Sequence, residues 1–319
     1  MSSISIQTKK INELDQALAV GSDNDLLVLR LADGTGTKAI TVGALREAIA
    51  GDISQLETED KESVVAAVNE IVERLAEDEE NLEPLNYDGA GAHNAIYRGK
   101  NLGTAFTAAQ SAAIRDGSFK DLYIGDYWTI DGTVYRIADF DYFLRAGDTE
   151  CTAHHAVIVP DVIMDTQEMN DSNVTTGAYV GSKMYTTNMA TAKAKIKADF
   201  GSAHILAHRE YLANAVSNGK QSAGAWYDSE IELMTESMVY GAPHFAPACD
   251  GSTVPANHTV ACKQLNLFRH RPDLISNRQT YWLRDVVSAA NFAFVYTGGN
   301  CSSGTASNAF GVRPAFPIY

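Results

Sequence analysis

The sequence lacks a long apolar run, and this absence excludes a helical membrane protein. No stretch of about 18 or more apolar residues is present, so we expect no membrane insertion. Residues 1–10 also lack the basic-then-apolar order of a secretory signal, and export by that route is not expected. Of the 319 residues, 45% are apolar, which is enough to form a sizeable buried core.

Basic residues are also few. The chain has 25 Lys and Arg against 40 Asp and Glu, which gives a net charge of -15. A protein of this charge repels phosphate backbones and anionic lipid surfaces. Nucleic acid is therefore not an expected partner.

Chemical motifs are missing as well. The four cysteines form no CxxC pair, so neither a zinc knuckle nor a redox dithiol is predicted, and free buried thiols are favoured. His204 and His208 stand four residues apart, but Ile205 occupies the place of the glutamate in an HExxH motif. There is no GxSxG, P-loop or dinucleotide-binding glycine pattern. We predict no metal, no cofactor and no enzymatic activity.

The residues that are present divide into three segments, and the predicted fold class is α+β. Residues 1–50 contain short apolar strands around a turn-rich stretch, which indicates a small module. Residues 51–85 carry the heptad positions Val64, Val68, Ile71, Leu75, Asp78 and Leu82, which predict a short coiled coil. An amphipathic helix packed on its own domain is the alternative. Residues 86–319 are rich in aromatic residues, Gly and Asn, and predict a globular domain.

Within the globular segment, local patterns predict individual elements. Residues 104–116 read as a helix, and residues 127–138 read as a hairpin around an Asp131-Gly132 turn. A buried strand is predicted at residues 156–159. Two helices are predicted at residues 188–200 and 204–217, the second ending at Asn218-Gly219.

Two stretches resemble known phage proteins at the N-terminus. The segments KINELDQAL and NDLLVLRLADGTGTKAITVGALREAI look like the attachment module of phage tail-fibre proteins, and LETEDKESVVAAVNEIVERL looks like the short helix that follows it. This resemblance implies that residues 1–50 attach the chain to other virion proteins and that residues 51–85 form a coiled-coil oligomerisation helix.

The C-terminal segment resembles a bacterial and phage family with a C-type-lectin-like fold. The resemblance is carried by IELMTESMVYG, YWLRDVVSAANFAFVYTGG and the closing FGVRPAFPI. It implies that residues 86–319 form a lectin-like binding head. In some members the stretch between the YWLR and GVRPAF motifs is varied by diversity-generating retroelements on an exposed ligand-binding face.

The residues between these two motifs agree with a binding face. Small polar residues with a few aromatic anchors are the mixture found in antibody paratopes. The predicted ligand-binding residues are Asn291, Phe292, Tyr296, Asn300, Ser302, Ser303, Thr305 and Asn308. The flanking bulky or charged residues predicted to hold this face in shape are Trp282, Arg284, Arg313 and Phe316. An ordinary Gly/Ser surface loop between two core strands is the alternative.

Together these features predict a non-catalytic virion protein, a fibre on the phage tail that binds a host-surface glycan or protein. It would be assembled in the host cytoplasm and carried on the tail or capsid surface. Two alternatives stay open. One is a capsid-anchored head fibre or decoration protein with the same adhesive head. The other is a glycan depolymerase, which would use two carboxylates.

The heptad positions generate a first testable prediction, that the chain is a parallel homotrimer with three heads at one end. Light scattering of the full-length protein at micromolar concentration should give a trimeric mass. A monomeric mass under these conditions would contradict the prediction.

Overall fold

A computed structural model of the chain describes residues 26–30, 37–41, 44, 64–82, 89–244 and 263–319. The chain divides into two compact units, Met1–Asn86 and Tyr87–Tyr319. Both helices and sheets are present, in agreement with the predicted α+β class. Among the helices in these ranges, none combines the length and the apolarity needed to span a bilayer.

The described residues of the first unit include a strand pair and the helix at residues 64–82. Strands β1 (Leu26–Arg30) and β2 (Thr37–Thr41) pair in antiparallel register, with Leu26 opposite Thr41. Helix α1 spans Val64–Leu82. Most of the predicted attachment module and the flanks of the predicted coil, residues 51–63 and 83–85, lie outside the described residues.

Helix α1 confirms that the heptad segment is helical, but it does not show that the segment forms a coiled coil. Three of its heptad residues, Val68, Ile71 and Leu75, are each exposed by half or more in the single chain. An apolar row of this kind on a helix is stabilised when it is covered. The coiled coil therefore stays a prediction.

The second unit carries the remaining elements. Its α-helices are α2 (Ala90–Asn94), α3 (Ala108–Arg115), α4 (Ala190–Phe200), α5 (Glu236–Tyr240) and α6 (Asn266–His270). Short π and 3-10 turns lie at Met184–Asn188, Ser202–His204 and Pro272–Leu274. Its strands are β3 (Tyr127–Ile130), β4 (Thr133–Phe140), β5 (Ala156–Pro160), β6 (Asp165–Glu168), β7 (His208–Ser217), β8 (Lys220–Ser229), β9 (Glu232–Leu233), β10 (Tyr281–Val286), β11 (Asn291–Val295), β12 (Cys301–Thr305), β13 (Ala309–Val312) and β14 (Pro314–Ile318).

Two five-stranded sheets organise this unit. One has the strand order β3-β4-β5-β14-β9, and the other has the order β12-β11-β10-β13-β6. The chain passes from the second sheet to the first between β13 and β14, where Arg313 is the only intervening residue. Residues 309–318 thus tie the two sheets together.

The predicted β3–β4 hairpin and the β5 strand are confirmed. Asp131 and Gly132 have φ angles of 45° and 75°, which is the left-handed conformation that a two-residue hairpin turn requires. The predicted helix at residues 104–116 is α3. It begins later than predicted because Thr107 caps it, with the Thr107 hydroxyl accepting a hydrogen bond from the Gln110 amide.

The prediction of a second helix at residues 204–217 is wrong. Only a short 3-10 turn forms at its start, and β7 follows, paired with β8 in a long hairpin. His208, Glu210 and Leu212 are buried in alternation, as in a strand. Asn218-Gly219 is therefore a hairpin turn and not a helix stop, and both residues have positive φ angles.

We expect the second unit to fold alone, because its core is extensive and includes both sheets. A chain beginning at Leu85 should be expressed in soluble form and should unfold in one cooperative transition on heating, followed by circular dichroism. Aggregation or the absence of a transition would mean that the head depends on the N-terminal unit or on other subunits.

Candidate ligand-binding surface

The predicted binding residues lie on and around the β11–β12 hairpin, at the edge of the second sheet. The register pairs Asn291 with Thr305, and Phe294 with Ser302. Side chains on a strand alternate between the two faces of a sheet. The predicted residues are therefore divided between two faces and two ends of this hairpin, and they do not form one continuous surface.

One end of the hairpin carries Tyr296 and Asn300. Tyr296 is 51% exposed and is the only exposed Tyr, Phe or Trp among the described residues. Asn300 is also exposed, and its carbonyl accepts a 2.9 Å hydrogen bond from the Tyr296 amide. We call residues 296–300 the tyrosine turn.

Side chains outside the hairpin form hydrogen bonds to the backbone of the tyrosine turn. The Tyr240 hydroxyl donates to the Gly299 carbonyl at 2.9 Å, and the Ser276 hydroxyl donates to the Thr297 carbonyl at 2.8 Å. These bonds fix the backbone that presents Tyr296. A turn whose backbone is already fixed loses less conformational entropy when a ligand binds.

The opposite end of the hairpin carries Asn291, Thr305 and Asn308, and the edge strand β12 carries Ser302 and Ser303. Asn308 is exposed, while the other four are half-buried. Because β12 pairs on one side only, Ser302 and Ser303 face opposite sides of the sheet at its edge.

The prediction that Phe292 belongs to the exposed set is wrong, because Phe292 is fully buried. Its partner across the strand pair is Gly304, so the ring packs on the core side of the hairpin. The same face holds Phe294, which is also buried. Phe292 therefore acts as a core residue.

All four predicted scaffold residues, Trp282, Arg284, Arg313 and Phe316, are buried. The Trp282 ring lies 4.6 Å from the Phe310 ring, and the Phe310 ring lies 4.7 Å from the Phe294 ring, between centroids. Such aromatic contacts stabilise beyond simple area burial. This cluster supports the hairpin from β10 and β13.

Arg284 forms a buried ion pair. Its guanidinium donates to the Glu210 carboxylate on β7, which also contacts the His208 ring at 3.2 Å. Burial by itself raises the pKa of Glu210, but the Arg284 charge and the hydrogen bond to His208 outweigh it and bring the pKa to about 2. The pair links β10 to the β7–β8 hairpin.

Sequence analysis missed a loop that contacts the hairpin. The Asn173 side-chain oxygen accepts hydrogen bonds from the Ser307 amide at 3.2 Å and the Ser307 hydroxyl at 2.7 Å. The Asn170 amide donates to the Ala306 carbonyl at 2.9 Å. No local pattern could have found these contacts, because they join segments more than 130 residues apart.

Within the described residues, the histidines and cysteines singled out by the sequence form no common site. The His204 Nδ1 atom lies 2.9 Å from the Tyr319 carbonyl, whereas His208 contacts Glu210. Cys151 and Cys301 are free thiols, and Cys249 and Cys262 lie outside the described residues. Within the described ranges, no group of three or more His, Cys, Asp or Glu side chains could hold a metal ion.

Comparisons with known proteins identify no relative: no family model, curated protein or solved structure matches the chain.

The buried ion pair generates a prediction about stability. Arg284→Met should lower the free energy of unfolding by about 3 to 5 kcal/mol, because it leaves the Glu210 charge buried without its partner. Asp228→Asn, which removes an exposed partner of Arg209, should cost about 1 kcal/mol or less and serves as the control. Urea denaturation of both variants measures the difference.

A double variant and the pH dependence of stability also test the role of the buried ion pair. The double variant Glu210→Leu/Arg284→Met should recover part of the loss, because the Glu210 charge is then removed together with its partner. In the wild type, Glu210 contributes stability that is present above its usual pKa of 4.5 and is lost as the pH falls toward 2. A double variant as unstable as the single one would contradict the account.

Proposed function

We propose that the chain is a non-catalytic adhesion protein of a phage virion, a fibre that binds a host-surface receptor through the tyrosine turn. The observation that carries this proposal is the placement of Tyr296. An exposed aromatic side chain stands on a turn whose backbone is fixed by Tyr240 and Ser276. Aromatic anchors on rigid backbones are the residues that dominate binding at protein surfaces.

The surroundings of the tyrosine turn support the same proposal. Asn300 supplies an exposed side-chain amide in the same turn, and Gly298 leaves the backbone accessible. Amide groups and backbone peptides can pair with hydroxyl or peptide groups of a ligand. The two ends of the hairpin lie about 15 Å apart at the usual rise per residue, so a ligand of a few sugar or peptide units could span both.

The N-terminal unit supports a fibre. The apolar row on α1 is exposed in the single chain, and three copies packed through it would present three tyrosine turns. Multivalent display increases the overall affinity of sites that are individually weak. The N-terminal residues would attach the fibre to the particle, as the resemblance to tail fibres implies.

The experiment compares fluorescently labelled full-length proteins for binding to cells of the phage host. Tyr296→Ala should weaken binding by about 30-fold or more, since truncating an aromatic anchor typically costs about 2 kcal/mol. Asn300→Ala should also weaken it, and neither change should shift the melting temperature by more than a few degrees. Ile96→Ala is the matched control, because Ile96 is equally exposed but lies outside the hairpin.

A variant of a buried scaffold residue separates loss of folding from loss of binding. Trp282→Ala should destabilise the head by about 3 to 5 kcal/mol, because it empties a fully buried site. If Tyr296→Ala and Asn300→Ala bind cells as the wild type does, the receptor surface lies elsewhere. In a separate experiment, labelling the N-terminal residues in intact particles would distinguish attachment to the tail from attachment to the capsid.

A further inference from the structure

A polar cavity of about 560 Å³ lies in the second unit, and none of its lining residues belongs to the β11–β12 hairpin. Its walls come from α2, the end of β4 and the start of α6. A smaller polar cavity of about 540 Å³ adjoins it and shares the residues Asn94, Asn266 and Arg269. Volumes in this range are typical of small-molecule sites. We call the first cavity the Asp139 cavity.

The wall of the Asp139 cavity includes the buried carboxyl group of Asp139, which Asn266 fixes by hydrogen bonds. Asp139 is 5% exposed, and its Oδ2 atom accepts hydrogen bonds from the Asn266 amide at 3.1 Å and from the Asn266 side chain at 2.9 Å. Burial raises the pKa of Asp139 to about 7, although the Asn266 amide opposes this rise. The Lys263 charge also opposes the rise. A carboxyl group in the cavity wall can exchange hydrogen bonds with the hydroxyl groups of a ligand.

A side-chain amide forms the neighbouring wall. The Asn94 oxygen accepts from the Phe140 amide and the Asn94 nitrogen donates to the Phe140 carbonyl, both at 2.9 Å. This two-bond contact fixes α2 against β4. The cavity therefore has a rigid polar wall that does not have to be organised when a ligand enters.

The mouth of the cavity carries two cations. Nine of the 18 Lys and Arg side chains described in this unit form salt bridges to carboxylates, such as Arg136 with Asp161 at 2.6 Å. Lys263 and Arg269 also line the cavity and are exposed, and neither makes a salt bridge to any residue in the described ranges. Lys263 donates to the Tyr142 carbonyl at 3.2 Å and lies over the Tyr142 ring.

The combination of groups selects the ligand. A small inorganic anion would meet the cations but also the carboxylates of Asp139 and Asp141, which line the same cavity. A neutral sugar would use the wall but would leave the Arg269 guanidinium without a carboxylate partner. A hydroxyl-rich molecule with one carboxylate satisfies both parts, because the planar Arg269 guanidinium can bind a carboxylate through two hydrogen bonds.

We propose that the Asp139 cavity is a second binding site, which takes an acidic saccharide of the uronic acid class. The carboxylate of the sugar lies at Arg269 and Lys263, and its hydroxyl groups face Asp139 and the amides beside it. This site does not require the tyrosine turn, so it can be tested whether or not the proposed adhesion through Tyr296 is correct.

The test titrates sodium D-glucuronate into the full-length protein and follows saturation-transfer NMR and calorimetry. We expect saturable binding that is at least about tenfold tighter than that of D-glucose or sodium acetate. A concentration on the order of 10 mM fills about nine-tenths of a millimolar site. An absence of saturable binding at that concentration overturns the proposal, as does equal binding of glucose or of acetate.

Variants locate the site. Arg269→Ala and Lys263→Gln should each weaken glucuronate binding about tenfold, while Arg269→Lys should weaken it less. Arg278→Ala is the control, because Arg278 is also exposed but lies outside the cavity. Tyr296→Ala should leave glucuronate binding unchanged, which separates this site from the adhesion surface. If Arg269→Ala and Lys263→Gln both bind as the wild type does, the proposal is wrong.

Discussion

The buried guanidinium of Arg313 is the interaction on which the architecture of the C-terminal unit depends. It is 1% exposed and donates to the carbonyls of Pro160, Leu274 and Ile275 and to the Tyr281 hydroxyl, at 2.9 to 3.2 Å. Burying a charge is costly unless its donors are satisfied, and here backbone carbonyls and the faces of two aromatic rings satisfy them. Since Arg313 stands between β13 and β14, the same bonds fix the relation of the two sheets.

Local patterns predicted the parts of the fold in which one short-range signal dominates. Asp131-Gly132 between alternating residues indicated a hairpin, and the apolar run at residues 156–159 indicated a buried strand; both are present. The helix prediction for residues 204–217 was wrong because the alanines and leucine of this segment favour helices. The segment is a strand in the structure, and its buried Glu210 is bound by Arg284 as well as by His208. Pairing with a residue 74 positions away leaves no local trace in a single sequence.

The sequence predicted which residues flank the candidate surface, but not how the residues between them are arranged in space. The bracketing residues were identified correctly as buried, because bulky apolar residues beside Arg and Gly have few other roles. The stretch between them was predicted to form one exposed binding face, whereas it forms two paired strands whose residues are divided between two faces. A period of two then buries Phe292 and places Ser302 and Ser303 on opposite faces. Strand pairing is a tertiary property, so the division of the surface could be found only in the structure.

The same geometry determines which positions of the hairpin can change without loss of the fold. A side chain at Gly304 would meet the Phe310 and Phe294 rings at about 3 Å, closer than packed atoms allow. Phe292 and Phe294 are buried and cannot accept polar residues. Tyr296, Asn300 and Asn308 are exposed and belong to turns, where substitution leaves the core contacts intact. Variation at these tips would therefore alter what the surface binds while the aromatic cluster beneath preserves its shape.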